Sequence, residues 1–161
     1  FDLVDWVLFL MPDGSMRTIA GADMSVGYRY CREAFDGIAL RAKLRSEGLS
    51  DHRTIRKAID NMAKRRRHSQ PREASAGCIF RNPGDESAGA LIDQVGLKGE
   101  RQGHAVVSNV HANFIVNEGG ASADEVIELV RRVRKRVEES KGKLLEPEIG
   151  VLGKSWEEFL S

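Results

Sequence analysis

The sequence predicts a mixed α+β protein. Three observations carry that expectation: an apolar hairpin near the amino terminus, a strand of period two at residues 38–44, and two stretches of helical period at 51–67 and 122–141. The hairpin is read from Leu8 to Met11, the turn Pro12-Asp13-Gly14, and Met16 to Ile19, because Asp and Gly suit the backbone of a tight turn. In the next strand Ile38, Leu40, Ala42 and Leu44 alternate with Arg41 and Lys43, which predicts one buried and one wetter face. Gly48 and Ser50 then interrupt the chain. The first long helix follows, with Ile55, Ile59 and Met62 at helical spacing, Ser50 as its expected cap, and a basic end at Arg65-Arg66-Arg67.

Residues 68–76 are polar, contain Pro71 and show no period, so they read as a linker into a second lobe. Ser87 to Val95 predicts a short helix closed by Gly96, and Phe114 to Val116 a strand. The clearest helix starts at Ser122, whose S-x-x-E spacing to Glu125 predicts a capping box. Ile127, Val130, Val133 and Val137 give it an apolar stripe that runs until Gly142. Leu144 to Val151 reads as extended chain broken by Pro147.

Composition narrows the function classes. The 25 Lys and Arg residues nearly balance 24 acidic ones, so net charge gives no reason to expect nucleic acid or an anionic membrane. The longest apolar run, Val7 to Met11, is far short of the ~20 residues a spanning helix needs, so no membrane span is expected. Two separated cysteines, Cys31 and Cys78, fit a reducing, cytoplasmic setting better than a disulfide-stapled secreted one. The four histidines show no spacing that assembles a zinc site with them. Neither a GxGxxG nor a GxxxxGK[ST] motif is present, which leaves no complete dinucleotide or P-loop site. The arginines between 131 and 136 lie on the capped helix and read as its solvated face, and Cys78 taken alone reads as a small core residue. The chain opens on an apolar run without an initiating Met, as the cut edge of a longer protein would.

Ordered motifs add a family. Gly77-Cys78-Ile79-Phe80-Arg81-Asn82-Pro83 is followed by Leu91-Ile92-Asp93-Gln94, Gly96-Leu97-Lys98-Gly99, Val107-Ser108, His111-Ala112-Asn113-Phe114-Ile115-Val116-Asn117 and Leu145-Glu146-Pro147-Glu148. Gly27-Tyr28-Arg29 and Arg66-Arg67 before Gln70-Pro71 precede them. This series resembles the MurB reductases, and the short step from Pro83 to Leu91 resembles their shorter type. The resemblance implies an enzyme in which FAD takes hydride from NADPH and reduces UDP-N-acetylglucosamine enolpyruvate to UDP-N-acetylmuramate for peptidoglycan. It also implies a division of the chain. Residues 1–70 would be the remainder of an FAD-binding lobe with its connecting helix, 71–148 a small substrate-binding domain, and 149–161 a tail returning to the missing FAD lobe. Without the amino-terminal FAD-binding segment the chain is expected to be inactive and to hold FAD weakly.

The same resemblance supplies site residues. Arg29 matches an active-site arginine that pairs with the substrate carboxylate, and Glu148 a glutamate that, as the carboxylic acid, donates a hydrogen bond to it. Cys78 stands where the family places its general acid, more often a serine. A thiol with an ordinary pKa of about 8.5 is mostly protonated at neutral pH yet releases its proton far more readily than an alcohol. Tyr28, Asn82, Lys98 and His111 match substrate-binding positions, and Arg66 one near the flavin. Gly150 departs from the pattern, since many members carry arginine there. Two other readings remain open at this point: a non-catalytic UDP-sugar-binding module that keeps the fold, and a nucleic-acid-binding domain resting on the arginine clusters.

Overall fold

The computed structural model describes every residue except Glu47, Leu49 and Ser161, so the last residue of the expected 149–161 tail lies outside the described residues. The chain divides into two compact units, Phe1–Ile55 and Arg56–Ser161.

In the first unit β1 (Val4–Leu10) and β2 (Met16–Ala20) form the expected hairpin, with Val7 opposite Ile19 and Leu10 opposite Met16. Its turn is fixed by Asp13, whose Oδ1 accepts the Ser15 N–H at 2.9 Å and the Ser15 hydroxyl at 2.6 Å. A second small hairpin joins β3 (Val26–Gly27) to β4 (Tyr30–Cys31), and the short helix α1 (Arg32–Asp36) leads into β5 (Ile38–Leu44). The three-stranded sheet runs β2-β1-β5, antiparallel throughout. Its core is small: Val7, Phe9 and Met24 are the buried hydrophobic residues of this cluster. The period-two strand at 38–44 is present, but its half-burial is not, because every residue of β5 is exposed, Ile38 and Leu44 among them.

Helix α2 (His52–Ser69) crosses the division between the units and carries no buried residue. Its start corrects the expected cap. Asp51, not Ser50, accepts the N–H groups of Arg53 and Thr54 at 2.8 and 3.1 Å and the Thr54 hydroxyl at 2.5 Å. A carboxylate meets these donors better than a hydroxyl, and it adds negative charge at the positive end of the helix.

The second unit is a four-stranded antiparallel sheet with helices against it. The expected linker at 68–76 is instead the end of α2 followed by β6 (Ala74–Cys78). After β6 come α3 (Ala88–Gln94), β7 (Arg101–Gln102), β8 (Ala105–Val107), β9 (Phe114–Asn117), α4 (Ala123–Lys141) and a last short helix α5 (Glu157–Leu160). The sheet order is β6-β9-β8-β7. Ala105, Val107 and Ile115 face a core completed by Leu91 and Ile92 of α3 and by Leu129, Val130, Val133 and Val137 of α4. The tail packs on this unit: Trp156 lies against the core, and its indole N–H donates to the Ile149 carbonyl at 2.6 Å.

Helix α4 forms as its sequence dictates. The Ser122 hydroxyl accepts the Glu125 N–H, the Glu125 carboxylate accepts the Ser122 N–H at 3.0 Å, and Gly142 ends the helix with φ of 62°. Arg132 and Arg134 of this helix make contacts within the protein. Arg132 reaches Glu100 at 2.9 Å and Gln102 at 2.7 Å, and Arg134 the Leu145 carbonyl at 3.1 Å. Replacing Ser122 by Ala is expected to cost about 0.5–2 kcal/mol of stability, read as a lowered denaturation midpoint with unchanged slope.

Candidate functional site

Cys78 ends β6, half-buried, opposite Phe114 of β9. The ladder shifts register between Ser75 and Cys78, and Gly77 within that shift has φ of 88°, a conformation that suits glycine. This irregularity turns the strand so that both Ile79 and Phe80 are buried, at 1% and 2% exposure. On its other side the segment meets the stretch around Pro147. Phe80 forms a bridge with Pro147, the Arg81 N–H donates to the Glu146 carbonyl at 2.8 Å, and the Glu148 N–H donates to the Ile79 carbonyl at 2.7 Å. The backbone of Glu148 is thereby fixed beside the residue that follows Cys78, although 70 positions separate Cys78 from Glu148 in sequence.

Asn82, Lys98 and His111 lie on segments that surround the same strands. The Asn82 Oδ1 accepts the Ala88 N–H at 3.0 Å, so that side chain ties the loop after Cys78 to the start of α3. His111 sits close over α3: a Cβ added at Gly89 would stand 3.0 Å from its Cε1. Its Nδ1 accepts the Asn113 N–H at 3.2 Å, so in the neutral ring the proton resides on Nε2, which is left as a donor. Phe114 packs edge-on against the ring, with centroids 4.9 Å apart. The Ser108 hydroxyl accepts the N–H groups of Val110 and His111 and shapes the loop that carries the imidazole. Lys98 ion-pairs with Asp93 at 2.6 Å. The turn that bears Lys98 is joined to β8 by the Gly99 N–H donating to the Val107 carbonyl at 2.8 Å.

Tyr28 and Arg29 belong to the first unit, where they form the two-residue turn between β3 and β4. Arg29 has φ of 57°, the only non-glycine in the left-handed region among the described residues. That conformation costs an L-residue about 1–2 kcal/mol, so the turn is held by its surroundings. The guanidinium lies 5.9 Å from the centre of the Tyr28 ring, within cation–π range. Arg29 also lines a cleft of about 510 Å³ with Phe1, Gly27, Tyr30, Cys31 and Phe35.

Glu33 supports the turn from below, its carboxylate accepting the Ser25 N–H at 3.0 Å and the Cys31 thiol at 3.6 Å. The Ser25 N–H above all, then its own N–H and the thiol, hold the Glu33 carboxyl below its ordinary pKa. The stabilisation this brings is fully present above the ordinary glutamate value of about 4.3 and is lost as pH falls from there through the lower folded value. Amide exchange at Ser25 is therefore expected to speed up, relative to the intrinsic rate, as pH is lowered below about 4. Unchanged protection there would count against the role given to Glu33.

Arg66 lies in α2, exposed, with its Nε donating to the Gln70 Oε1 at 2.9 Å. No group of three or more His, Cys, Asp or Glu suited to a metal occurs among the described residues, and none of their helices is long and apolar enough to cross a membrane.

One α+β unit thus holds the segment that follows Cys78 against the segment around Glu148, joined by the Phe80–Pro147 bridge and its flanking backbone bonds. Residues 70–152 match the family described as UDP-N-acetylenolpyruvoylglucosamine reductase, C-terminal domain, and the chain belongs to that family. Curated relatives bearing that reductase name include one from Pelobacter propionicus, 38% identical over 146 residues that cover 91% of this chain and 50% of the relative. Another, from Thermus thermophilus, is 41% identical over 125 residues, covering 78% of this chain and 46% of its own. A third, from Anaeromyxobacter dehalogenans, is 39% identical over 160 residues, 99% of this chain and 48% of its own. The chain spans about half the length of these relatives. Among solved structures, the UDP-N-acetylenolpyruvylglucosamine reductase (MurB) from Thermus caldophilus is similar with a TM-score of 0.79 and 38% identity, over 93% of this chain and 53% of that one.

Proposed function

We propose that this chain is the carboxy-terminal portion of a flavin-dependent UDP-N-acetylenolpyruvoylglucosamine reductase that works in the cytoplasm and makes UDP-N-acetylmuramate for peptidoglycan. The observation that carries the reading is the pairing of the Cys78 and Glu148 segments through the 2.7 Å bond from Glu148 to Ile79, inside the stretch that matches the family.

In the longer protein a bound FAD would supply, from NADPH, the hydride that reduces the substrate's alkene. The residues of this chain do not build a flavin site by themselves. They include no glycine-rich phosphate loop, and the Arg66 Nε is engaged by Gln70. We assign the principal flavin contacts to the amino-terminal segment, and to Arg66 a subsidiary one. The exposed Ile38, Leu40 and Leu44 of β5 fit a sheet completed by that segment.

The retained residues serve the rest of the reaction. Addition of hydride leaves negative charge on the neighbouring carbon and its carboxylate. Glu148, as the acid, is assigned a hydrogen bond to that carboxylate, which stabilises the charge as it develops, and Arg29 is assigned the carboxylate-pairing role of the family's arginine. The Cys78 thiol then passes its proton to the carbon, and solvent returns a proton to the thiolate. Asn82 through its Nδ2, His111 through Nε2–H, and Lys98 are assigned to the sugar diphosphate, and Tyr28 to a substrate contact.

The direct test is an assay of the full-length protein that carries this chain. NADPH oxidation is expected to depend on UDP-N-acetylglucosamine enolpyruvate and to yield one equivalent of UDP-N-acetylmuramate, while the 161-residue chain alone is colourless and inactive. Failure of the full-length protein to couple the two would overturn the assignment.

A further inference from the structure

Asn113 is 3% exposed, between Ala112 and Phe114, which are themselves buried. An amide in such surroundings is costly unless both its oxygen and its nitrogen are satisfied. Here both bond to one residue. The Asn113 Oδ1 accepts the Phe80 N–H at 2.9 Å, and its Nδ2 donates to the Phe80 carbonyl at 2.8 Å. The side chain thus acts as an extra peptide group, supplying strand-like pairing just beyond the point where the β6–β9 ladder shifts register. The main-chain carbonyl of Asn113 accepts the Ile79 N–H at 2.8 Å, and its N–H donates to the His111 Nδ1.

The two residues held in this way are those that follow Cys78, and the Ile79 carbonyl on their other side accepts the Glu148 N–H. Asn113 therefore connects the segments of Cys78, Glu148 and His111 through a few hydrogen bonds, the two to Phe80 buried. The surroundings give no other reason for an amide at this place, since a leucine or valine would suit the buried Ala112 and Phe114 beside it. A leucine would, however, leave the Phe80 N–H and carbonyl buried without these partners, and the strand free to shift.

We propose that Asn113 is a positioning residue, fixing the backbone of Ile79 and Phe80 so that Cys78 and Glu148 keep one relative arrangement. The inference rests on the roles given to Cys78 and Glu148 above. It does not make Asn113 a group that touches substrate.

The test compares Asn113→Asp with the unaltered full-length protein. Aspartate is nearly the same size and can still accept from the Phe80 N–H, but as a carboxylate it sets an oxygen against the Phe80 carbonyl in place of a donor. Two readouts are taken. Amide exchange in the segments 78–82 and 146–149 is expected to rise about tenfold in the variant while α4 is unaffected. In turnover, kcat is expected to fall about 100-fold, the size of a 1 Å misplacement, with the KM for the enolpyruvyl substrate within about threefold of normal.

Unchanged exchange at 146–149, or kcat within threefold of normal, overturns the positioning role. An unaltered protein that shows no substrate-dependent NADPH oxidation overturns the functional reading instead, a result distinct from a variant that retains turnover. If Asn113→Asp does not fold, native-state exchange of the unaltered protein decides. The amides of Ile79, Phe80 and Glu148 should open in one step as denaturant rises, and separate openings overturn the proposal.

Discussion

Cys78→Ala in the full-length protein should slow product formation by about 10²–10⁴-fold, the range expected when a positioned proton donor is removed. On the proposed mechanism the loss falls on one step. Bleaching of the flavin by NADPH, measured by stopped flow without the enolpyruvyl substrate, should keep its normal rate, because Cys78 has no part in it. Cys78→Ser should recover part of the activity, since a hydroxyl has a proton to give from the same place, although an alcohol is far less acidic than a thiol. The pair of variants separates chemistry from packing. Alanine and serine leave nearly the same volume at a half-buried site, so a purely structural cysteine would give two similar proteins. Near-normal turnover in Cys78→Ala would sink the assignment. A further consequence follows from the thiol itself: mild peroxide should inactivate the enzyme by converting Cys78 to a sulfenic acid, and the serine variant should resist.

The elements legible in the sequence are those whose stabilising contacts are local. Helix α4 carries its cap, stripe and terminating glycine within one stretch, and the structure has all three where the spacing puts them. The β1–β2 hairpin depends on a turn whose residues bond one another. Strand β6 is different, because Ala74, Ser75, Ala76 and Gly77 have no apolar alternation, and what makes them a strand is the strongly apolar β9 alongside. The alternation in β5 identified a strand but could not say what would cover it, and in this chain all of β5 is exposed. Asp51 displaced Ser50 as the cap of α2 by a competition one residue wide.

The site divides in the same way. Arg29, Cys78 and Glu148 were singled out through resemblance, and no spacing in the sequence points to the pairing of the Cys78 and Glu148 segments, which is made by backbone bonds across 70 positions. Asn113 stood in a quoted motif without a role, because its partner Phe80 lies 33 positions away. The one local signal was an amide between Ala112 and Phe114, directly before the apolar start of β9, where a buried polar group needs partners.

Phe80→Ala is expected to be the most destabilising single truncation near the site, at about 3–5 kcal/mol. Phe80 is 2% exposed and belongs to the core formed by α3, α4 and the sheet, so the cost combines lost apolar burial with the cavity that the surroundings fail to fill. Its backbone adds a reason why that cavity resists collapse. Both backbone polar groups of Phe80 are held by Asn113, and the residue is bridged to Pro147, so the segment is restrained from moving inward. Typical domains have only about 5–15 kcal/mol of stability, so the loss is a large fraction of the total, and it should reach the Cys78 and Glu148 segments that share these bonds. Leu152→Ala is the matching control. Leu152 is fully exposed, and its truncation should stay within about 0.5 kcal/mol of the parent. Chemical denaturation of the two variants should therefore show a large drop in midpoint for Phe80→Ala and almost none for Leu152→Ala, both at unchanged slope. A Phe80→Ala midpoint close to that of Leu152→Ala would mean that the core around this strand is looser than the burial of Phe80 implies, and would remove the rigid backbone on which the placement of Cys78 and Glu148 depends.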